Sequence, residues 1–316
     1  MEKTTSINKR FSKDYRLPIN LYSEPYFSYF TELYESQFNI HKKLLWLNEV
    51  LTNCSESDDF FKIGNEISEN IKNCIKNSCA YEKLNNVDMN KNFVSQEILK
   101  NENIYQQKNI GKEFISIDLN KANFNVFGLF GLKEELMINS YEDLIKKFTD
   151  YNYFIQSKML RQVIFGDLNP KRQQKLQKYV INNLASLLGK NEYDIYSCNS
   201  DELIISHKKN SLNKEEVKNI LANSPNEFKF FKIESFCIEK IKDSDFYLKK
   251  SLKENNEEHV EFKSVPNYLY AQVFKYFHDL PINDYDLMFY HENMLAQFKE
   301  PYFKIDNEVK IKFNKF

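Results

Sequence analysis

A few acidic and cationic side chains in the middle of the chain have the types and spacing that phosphoryl transfer needs. Asp118 sits near the end of a short apolar run, Phe114-Ile115-Ser116-Ile117-Asp118-Leu119. Asn199-Ser200-Asp201-Glu202 lies between two more, Asp194 to Cys198 and Leu203 to Ser206. That pattern reads as a tight hairpin with acids at or beside its turn. Two carboxylates on neighbouring strands can hold Mg²⁺ or Mn²⁺ against phosphates, while cationic side chains neutralise the triphosphate. Asp118 and Asp201 are the candidate ligands, with Glu202 as an auxiliary acid. Lys158 and Arg161, three residues apart, share a helix face and are the candidate phosphate contacts. Singly, each has an ordinary explanation: turn chemistry for the acids, a solvated helix face for the cations. Their order, spacing and implied topology set them apart.

The elements that must position these residues follow from the apolar periodicity. Glu113 to Leu119 is expected as a strand, and Phe124 to Phe127 and Leu129-Phe130 follow it. Helices are expected from Tyr141 to Phe148, from about Tyr151 to Phe165, and from Lys171 to Leu188. Asn169-Pro170 breaks the second from the third, and Gly189 is the expected C-cap. The hairpin occupies 193–199 and 202–207. Asn213 caps a helix to about Ala222, and Glu227 to Lys240 is a strand with Phe231 and Ile233 on one face. In order this is β–α–β–β–α–β, the split-βαβ, ferredoxin-like arrangement, in which the first strand and the central hairpin lie side by side.

Before this region the chain reads as helical. Residues 1–23 are expected as a mobile arm. Glu24 to about Leu51 is expected as a long amphipathic helix broken near Asn39, and another runs from Ser57-Asp58-Asp59 to about Ser78. Residues 83–111, rich in Asn, Lys and Glu, read as a loop or linker. After it, strands are expected at 246–250 and 260–264, and helices at about Tyr268 to His278 and Asp284 to Phe298. A last hairpin is expected from Tyr302 to Phe313, around Asp306-Asn307. The expected division is a helical N-terminal region with linker (1–111), a central domain (112–240) and a mixed α/β C-terminal region (241–316).

Composition narrows the class. The chain has 316 residues, a formal net charge of -1, 42% hydrophobic and 15% aromatic residues. That supports a packed core and argues against disorder, while giving no global electrostatic case for nucleic acid. No apolar run reaches membrane-span length, and Met1 to Ser6 lacks the apolar core of a signal peptide. Five scattered cysteines without a CxxC pair speak against a zinc site or disulfide framework, so a reducing cytoplasm is expected. The heavy use of Lys, Asn, Ile, Phe and Tyr is what an AT-rich coding genome produces, such as a virus, phage or low-GC host. Gly128-Leu-Phe-Gly131 lacks the context of a phosphate loop. Lys171-Arg172, Lys208-Lys209 and Lys249-Lys250 would form a basic track if they aligned. Phe228, Phe230, Phe231 and Phe236 are candidate base-stacking rings, with core packing the ordinary alternative.

On these residues the central third resembles the palm of family B DNA polymerases. Lys158-Met-Leu-Arg-Gln162-Val-Ile-Phe165-Gly166 has the spacing of that family's KxxxNSxYG motif, with Gln162 at the Asn, Val163 at the Ser and Phe165 at the Tyr. Ile117-Asp118 is similar to the start of motif A, DxxSLYPS. Tyr196-Ser-Cys-Asn199-Ser-Asp201-Glu is similar to the YxDTDS hairpin of motif C. The match covers roughly residues 113–207. It departs at Asn199, where the family has an acid, and at Asn123, where motif A has tyrosine and only the neighbouring Phe124 is aromatic. Only 40 residues separate Asp118 from Lys158, too few for full fingers. Ser200-Asp201-Glu202 is also similar to the SDE of tRNA-His guanylyltransferases, though Leu119 stands where those proteins have Gly.

The resemblance implies a minimal or degenerate palm, with the C-terminal region in a thumb-like part. Asp118, Asp201 and Glu202 would be catalytic, Asp118 and Asp201 holding Mg²⁺ or Mn²⁺. Lys158, Arg161, Gln162 and Phe124 would contact a nucleoside triphosphate, and a primer–template or single strand would supply the attacking 3′-hydroxyl. The N-terminal helices are a candidate surface for a protein partner. The alternative is a palm derivative that binds nucleic acid in a replication complex without chemistry. An unrelated α+β fold with a structural or host-interaction role is the third reading.

Overall fold

A computed structural model of the chain describes every residue except 1, 97, 99–100, 191–192, 208–213, 223–229, 242–243, 253–256, 292–293, 302–310 and 314–316. The expected cap at Asn213, the hairpin around Asp306, Lys208-Lys209 and Phe228 lie outside the described residues.

The N-terminus is docked, and the expectation of a mobile arm is corrected. It forms helix α1 (Glu2–Asp14) and a segment running on to Tyr22. Ile7, Phe11, Leu17, Ile19 and Leu21 are all buried. Asp14, wholly buried, accepts hydrogen bonds from Arg10 Nε at 3.0 Å and from the Tyr153 hydroxyl at 2.6 Å, tying the helix end to the middle of the chain. The long helix expected next is divided into α2 (Tyr26–Leu33), α3 (Glu35–Phe38) and α4 (Ile40–Thr52). Asn39 makes the second break at φ 50°, in the left-handed region that Asn tolerates. Helix α5 (Ser57–Lys76) matches its expected span closely.

Residues 83–111 are not a linker. They contain the end of α6 (Cys79–Asn86), helix α7 (Met89–Asn92) and a strap. Strand β1 (Glu113–Leu119) follows, then short helices α8 (Ala122–Gly128), α9 (Leu132–Glu135), α10 (Tyr141–Ile145), α11 (Asn152–Gln156) and α12 (Lys158–Gly166). The helix expected over 151–165 is interrupted at Ser157, whose hydroxyl accepts the Leu160 amide at 3.0 Å and starts α12 afresh. These helices share one aromatic-rich core with the N-terminal helices. Phe60 stacks on Phe154 at 5.7 Å, and Phe165 packs among Phe124, Phe127 and Tyr141.

The remaining elements of the central sheet are α13 (Pro170–Lys190), β2 (Tyr193–Cys198), β3 (Glu202–His207), α14 (Lys214–Ala222) and β4 (Phe231–Lys240). Two further strands, β5 (Tyr247–Leu252) and β6 (Glu258–Lys263), extend it. The chain is an α+β fold whose six-stranded antiparallel sheet has the order β2-β3-β1-β4-β5-β6. Within it, β1 lies between β3 and β4, with α13 leading into β2 and α14 into β4.

Strand alternation assigns each residue to a face. Ile115, Ile117 and Leu119 of β1, with Leu203 and Ile205 of β3, pack against Val180, Ile181, Leu184 and Leu188 of α13 and Val217 and Leu221 of α14. Phe114, Ser116 and Asp118 therefore point to the opposite, helix-free face. The strap covers the far half of that face. The Glu102 amide donates to the Tyr196 carbonyl at 3.1 Å, Ile104 packs with Phe114 and Phe236, and the Gly111 amide donates to Ile238 at 2.9 Å. The near half is left to Ser116, Asp118 and their strand neighbours.

Past the sheet lie α15 (Tyr270–Phe277) and a small antiparallel sheet of β7 (Met288–His291), β8 (Met294–Phe298) and β9 (Ile311–Phe313). The helix expected over 284–298 is thus a strand pair. Phe289 and Phe298 stack at 4.6 Å in one core, while Met288 and Leu295 enter the large N-terminal core. Burial on both sides overrides a composition of Met, Leu, Ala and Gln that favours helix.

Candidate active site

The acids come together through strand register. Asp118 stands opposite Glu202 on β3 and opposite Lys232 on β4. The Leu119 amide donates to the Asp201 carbonyl at 2.8 Å, and the Asn199 amide donates to the Glu202 carbonyl at 2.9 Å. Leu119 and Asp201 thus belong to a hydrogen-bonded position, and Asp118 and Glu202 to the closer, non-hydrogen-bonded one, with Cα atoms about 4.5 Å apart in such pairs. Ser200 and Asp201 form the tip of the hairpin, beside the end of β1. Glu202 turns its carboxylate back along the sheet, where the Ser116 hydroxyl donates to it at 2.6 Å. Asp201 is exposed, and Asp118 is half-buried.

The charges of these groups act on one another. Burial, followed by the negative charges of Asp201 and Glu202, pushes the Asp118 carboxyl up to about 6. Lys158 and Lys232 oppose that rise without cancelling it. Among the described residues no side chain donates a hydrogen bond to the Asp118 carboxylate. A half-buried acid raised by two acidic neighbours is a place where a divalent cation would relieve repulsion.

The cation Lys158 is within electrostatic reach of the acids. Lys158 opens α12, and its ammonium is pushed down by burial and by the positive charges of Arg16 and Arg161, while Asp118 and Asp201 pull it up. Burial, with Arg16 among its neighbours, also lowers Arg161, whose guanidinium sits 5.5 Å from the centre of the Tyr141 ring. Among the described residues none of Arg16, Lys158 and Arg161 has a carboxylate within ion-pair distance. Arg16 and Arg161 both act on Lys158, and Arg16 on Arg161, so like charge gathers here without a carboxylate partner among the described residues.

Arg16 is the residue that sequence reading missed. It follows α1 at φ 52°, held there by its amide's bond to the Lys13 carbonyl at 3.2 Å. The apolar spacing of Ile7, Phe11, Leu17, Ile19 and Leu21 is the signal that would have docked this segment and brought Arg16 to the site.

Other expected residues fall elsewhere. Phe124 is 1% exposed and packs on Tyr141 and Phe165, so it is core and cannot stack on a nucleotide sugar or base. Phe165 is wholly buried, and Asn123 accepts from Gln177 Nε2 at 2.6 Å. Gln162 is exposed one turn beyond Lys158. The basic track does not form among the described residues. Arg172 donates to the Leu84 carbonyl at 2.7 Å, Lys249 pairs with Glu234 at 2.5 Å, and Lys250 pairs with Glu239 at 2.8 Å. Phe236 stacks on Phe114 inside the sheet's own core.

No group of three or more His, Cys, Asp or Glu suited to a metal ion exists among the described residues. Mg²⁺ at phosphoryl-transfer sites commonly takes one or two carboxylates and fills its shell with water and substrate phosphates. Asp118 and Asp201 suit that smaller role. No described helix is long and apolar enough to cross a membrane.

No protein-family model, curated protein or solved structure matches the chain.

Proposed function

We propose that the protein is a palm-type nucleotidyltransferase, similar to DNA polymerases, that joins a nucleotide to a nucleic-acid 3′-hydroxyl. The observation that supports this reading is that Asp118 feels the charges of Asp201, Glu202 and Lys158, while Lys158 in turn feels Asp118, Asp201, Arg16 and Arg161. A pair of acids would bind the cation side of a metal–triphosphate, and a trio of cations its phosphates. When bound, Mg²⁺ or Mn²⁺ on Asp118 and Asp201 would offset charge on the reacting phosphate and lower the barrier to attack. Lys158 and Arg161 orient the triphosphate from α12, Tyr141 steadies the Arg161 guanidinium from beneath, and Arg16 closes over the phosphates from the N-terminal segment. Ser116 holds Glu202 back, leaving it as a charge that tunes Asp118.

A second reading, a palm derivative that binds nucleic acid without chemistry, is favoured by Asn199 at an acid position of the resembling hairpin and by the engagement of Glu202 with Ser116. Incorporation of labelled nucleotide into a primer–template with Mg²⁺ or Mn²⁺ separates the two. Activity in the wild type that is lost in Asp201→Asn supports transfer. Activity unchanged by Asp201→Asn removes the assignment, and equal primer–template binding in EDTA without incorporation favours the second reading.

A further inference from the structure

A cavity of about 870 Å³ opens beside the cation cluster, between the N-terminal segment, α3, the start of α12 and the edge of β6. Lys13 and Arg16 stand on one wall, and Tyr22, Phe38, Phe262 and Tyr270 supply aromatic surface on the others. Arg16, one of the three cations, and Met159, next to Lys158 in the chain, both line it, so the cavity adjoins the cation cluster. Neither Lys13 nor Arg16 has an ion-pair partner among the described residues. The one acid in the lining, Glu261, is engaged with Lys263 at 2.6 Å and lies 3.6 Å from His259.

We infer that this groove binds unpaired nucleotides of a single strand and leads that strand past Arg16 to Asp118. The inference rests on the nucleotidyl-transfer reading for the strand's destination, but the binding chemistry is the groove's own. Tyr22, Phe38 and Phe262 are half-buried and line the groove, so their open sides can stack on any unpaired base, while flanking cations take the phosphates. The volume lies at the upper end of the ~300–1,000 Å³ usual for ligand sites, enough for more than one nucleotide.

The obvious competing route, across the open sheet face, is unsuited to a polyanion. Its far half is under the strap. Where the strap meets the near half, the negative charges of Glu202 and Glu234 act on the Tyr105 hydroxyl and add to the upward push of burial. The lysines nearest them are engaged, with Lys249 and Lys232 on Glu234 and Lys263 on Glu261. Unpaired positive charge next to the acids is found on the groove side instead.

The test is fluorescence anisotropy of a labelled oligothymidylate strand with the full chain in EDTA, over a range of salt. Lys13→Glu should weaken binding about 10-fold. Lys13→Gln with Arg16→Gln should reduce the slope of log affinity against log salt by about 1.4, as expected for two lost phosphate contacts. Phe38→Leu, which keeps apolar bulk and removes a ring, should cost about 5-fold. Unchanged melting temperatures establish that the variants are folded. Single-strand affinity and salt slope unaffected by all three changes would overturn the inference, as would a duplex that competes as well as the single strand. Asp201→Asn keeps the two proposals apart. If it abolishes incorporation while groove variants bind like wild type, transfer stands and the groove assignment falls. If binding follows the groove residues and no protein incorporates nucleotide, the reverse holds.

Discussion

Replacing Asp118 by Asn should stabilise the metal-free protein and, on the nucleotidyl-transfer reading, abolish nucleotide incorporation. The Asp118 carboxyl rises from 3.8 to about 6. A tenfold change in proton affinity corresponds to about 1.4 kcal/mol, so ionising this group in the folded state costs about 3 kcal/mol at most. The group sits at a partly open sheet edge, and solvent screening reduces this to about 1–2 kcal/mol. The sign follows from proton binding. Between about pH 4 and pH 6 the folded chain keeps a proton that the unfolded chain has released, so stability falls as pH rises through that window. Asn carries no charge to repel Asp201 and Glu202, and its variant escapes the loss. Near pH 7.5, in EDTA, Asp118→Asn should melt roughly 1.5–3 °C above wild type, and near pH 4 the two should coincide. Adding Mg²⁺ or Mn²⁺ should raise the melting temperature of wild type and leave the variant unmoved. A variant less stable than wild type near pH 7.5, or an equal offset at both pH values, would refute the argument that acidic neighbours hold Asp118 under repulsion.

Two further outcomes follow from the same geometry. On the nucleotidyl-transfer reading, Lys158→Ala would remove a charged donor to the triphosphate, worth about 1.5–3 kcal/mol, so nucleotide affinity measured with a fluorescent analogue should drop about 10- to 100-fold. Its melting temperature should hold or rise, because Arg16 and Arg161 no longer face a third positive charge. Asp14→Ala strips a buried carboxylate from Arg10 and Tyr153 and should cost about 3 kcal/mol in urea unfolding.

The sheet was legible because strand alternation is a strong signal. Ile115, Ile117 and Leu119 on one parity and Ser116 and Asp118 on the other fix both the strand and the face that carries the acid. The hairpin was legible for the same reason, with apolar runs on either side of an acidic turn. Helix α13 is legible in the four-residue spacing of Leu176, Val180, Leu184 and Leu188, although it runs past Gly189 to Lys190. What was not legible depended on distant packing. Met288 to Phe298 has helix-forming residues, and only cores on both sides make it a hairpin. Phe124 reads as a ring beside an active site until α10 and α12 close over it. Arg16 sits in a segment whose polar and basic residues mask the apolar spacing of Ile7, Phe11, Leu17, Ile19 and Leu21. Its role emerges only when Asp14 meets Tyr153, far along the chain.

Crystals grown with Mn²⁺ and a non-hydrolysable nucleoside triphosphate give the most direct measurement of whether acids and cations form one site. An anomalous peak bound by Asp118 and Asp201, with the triphosphate on Arg16, Lys158 and Arg161, is the predicted result. Density for nucleotide elsewhere, or an Asp118–Asp201 pair holding no metal when nucleotide is bound, would contradict it.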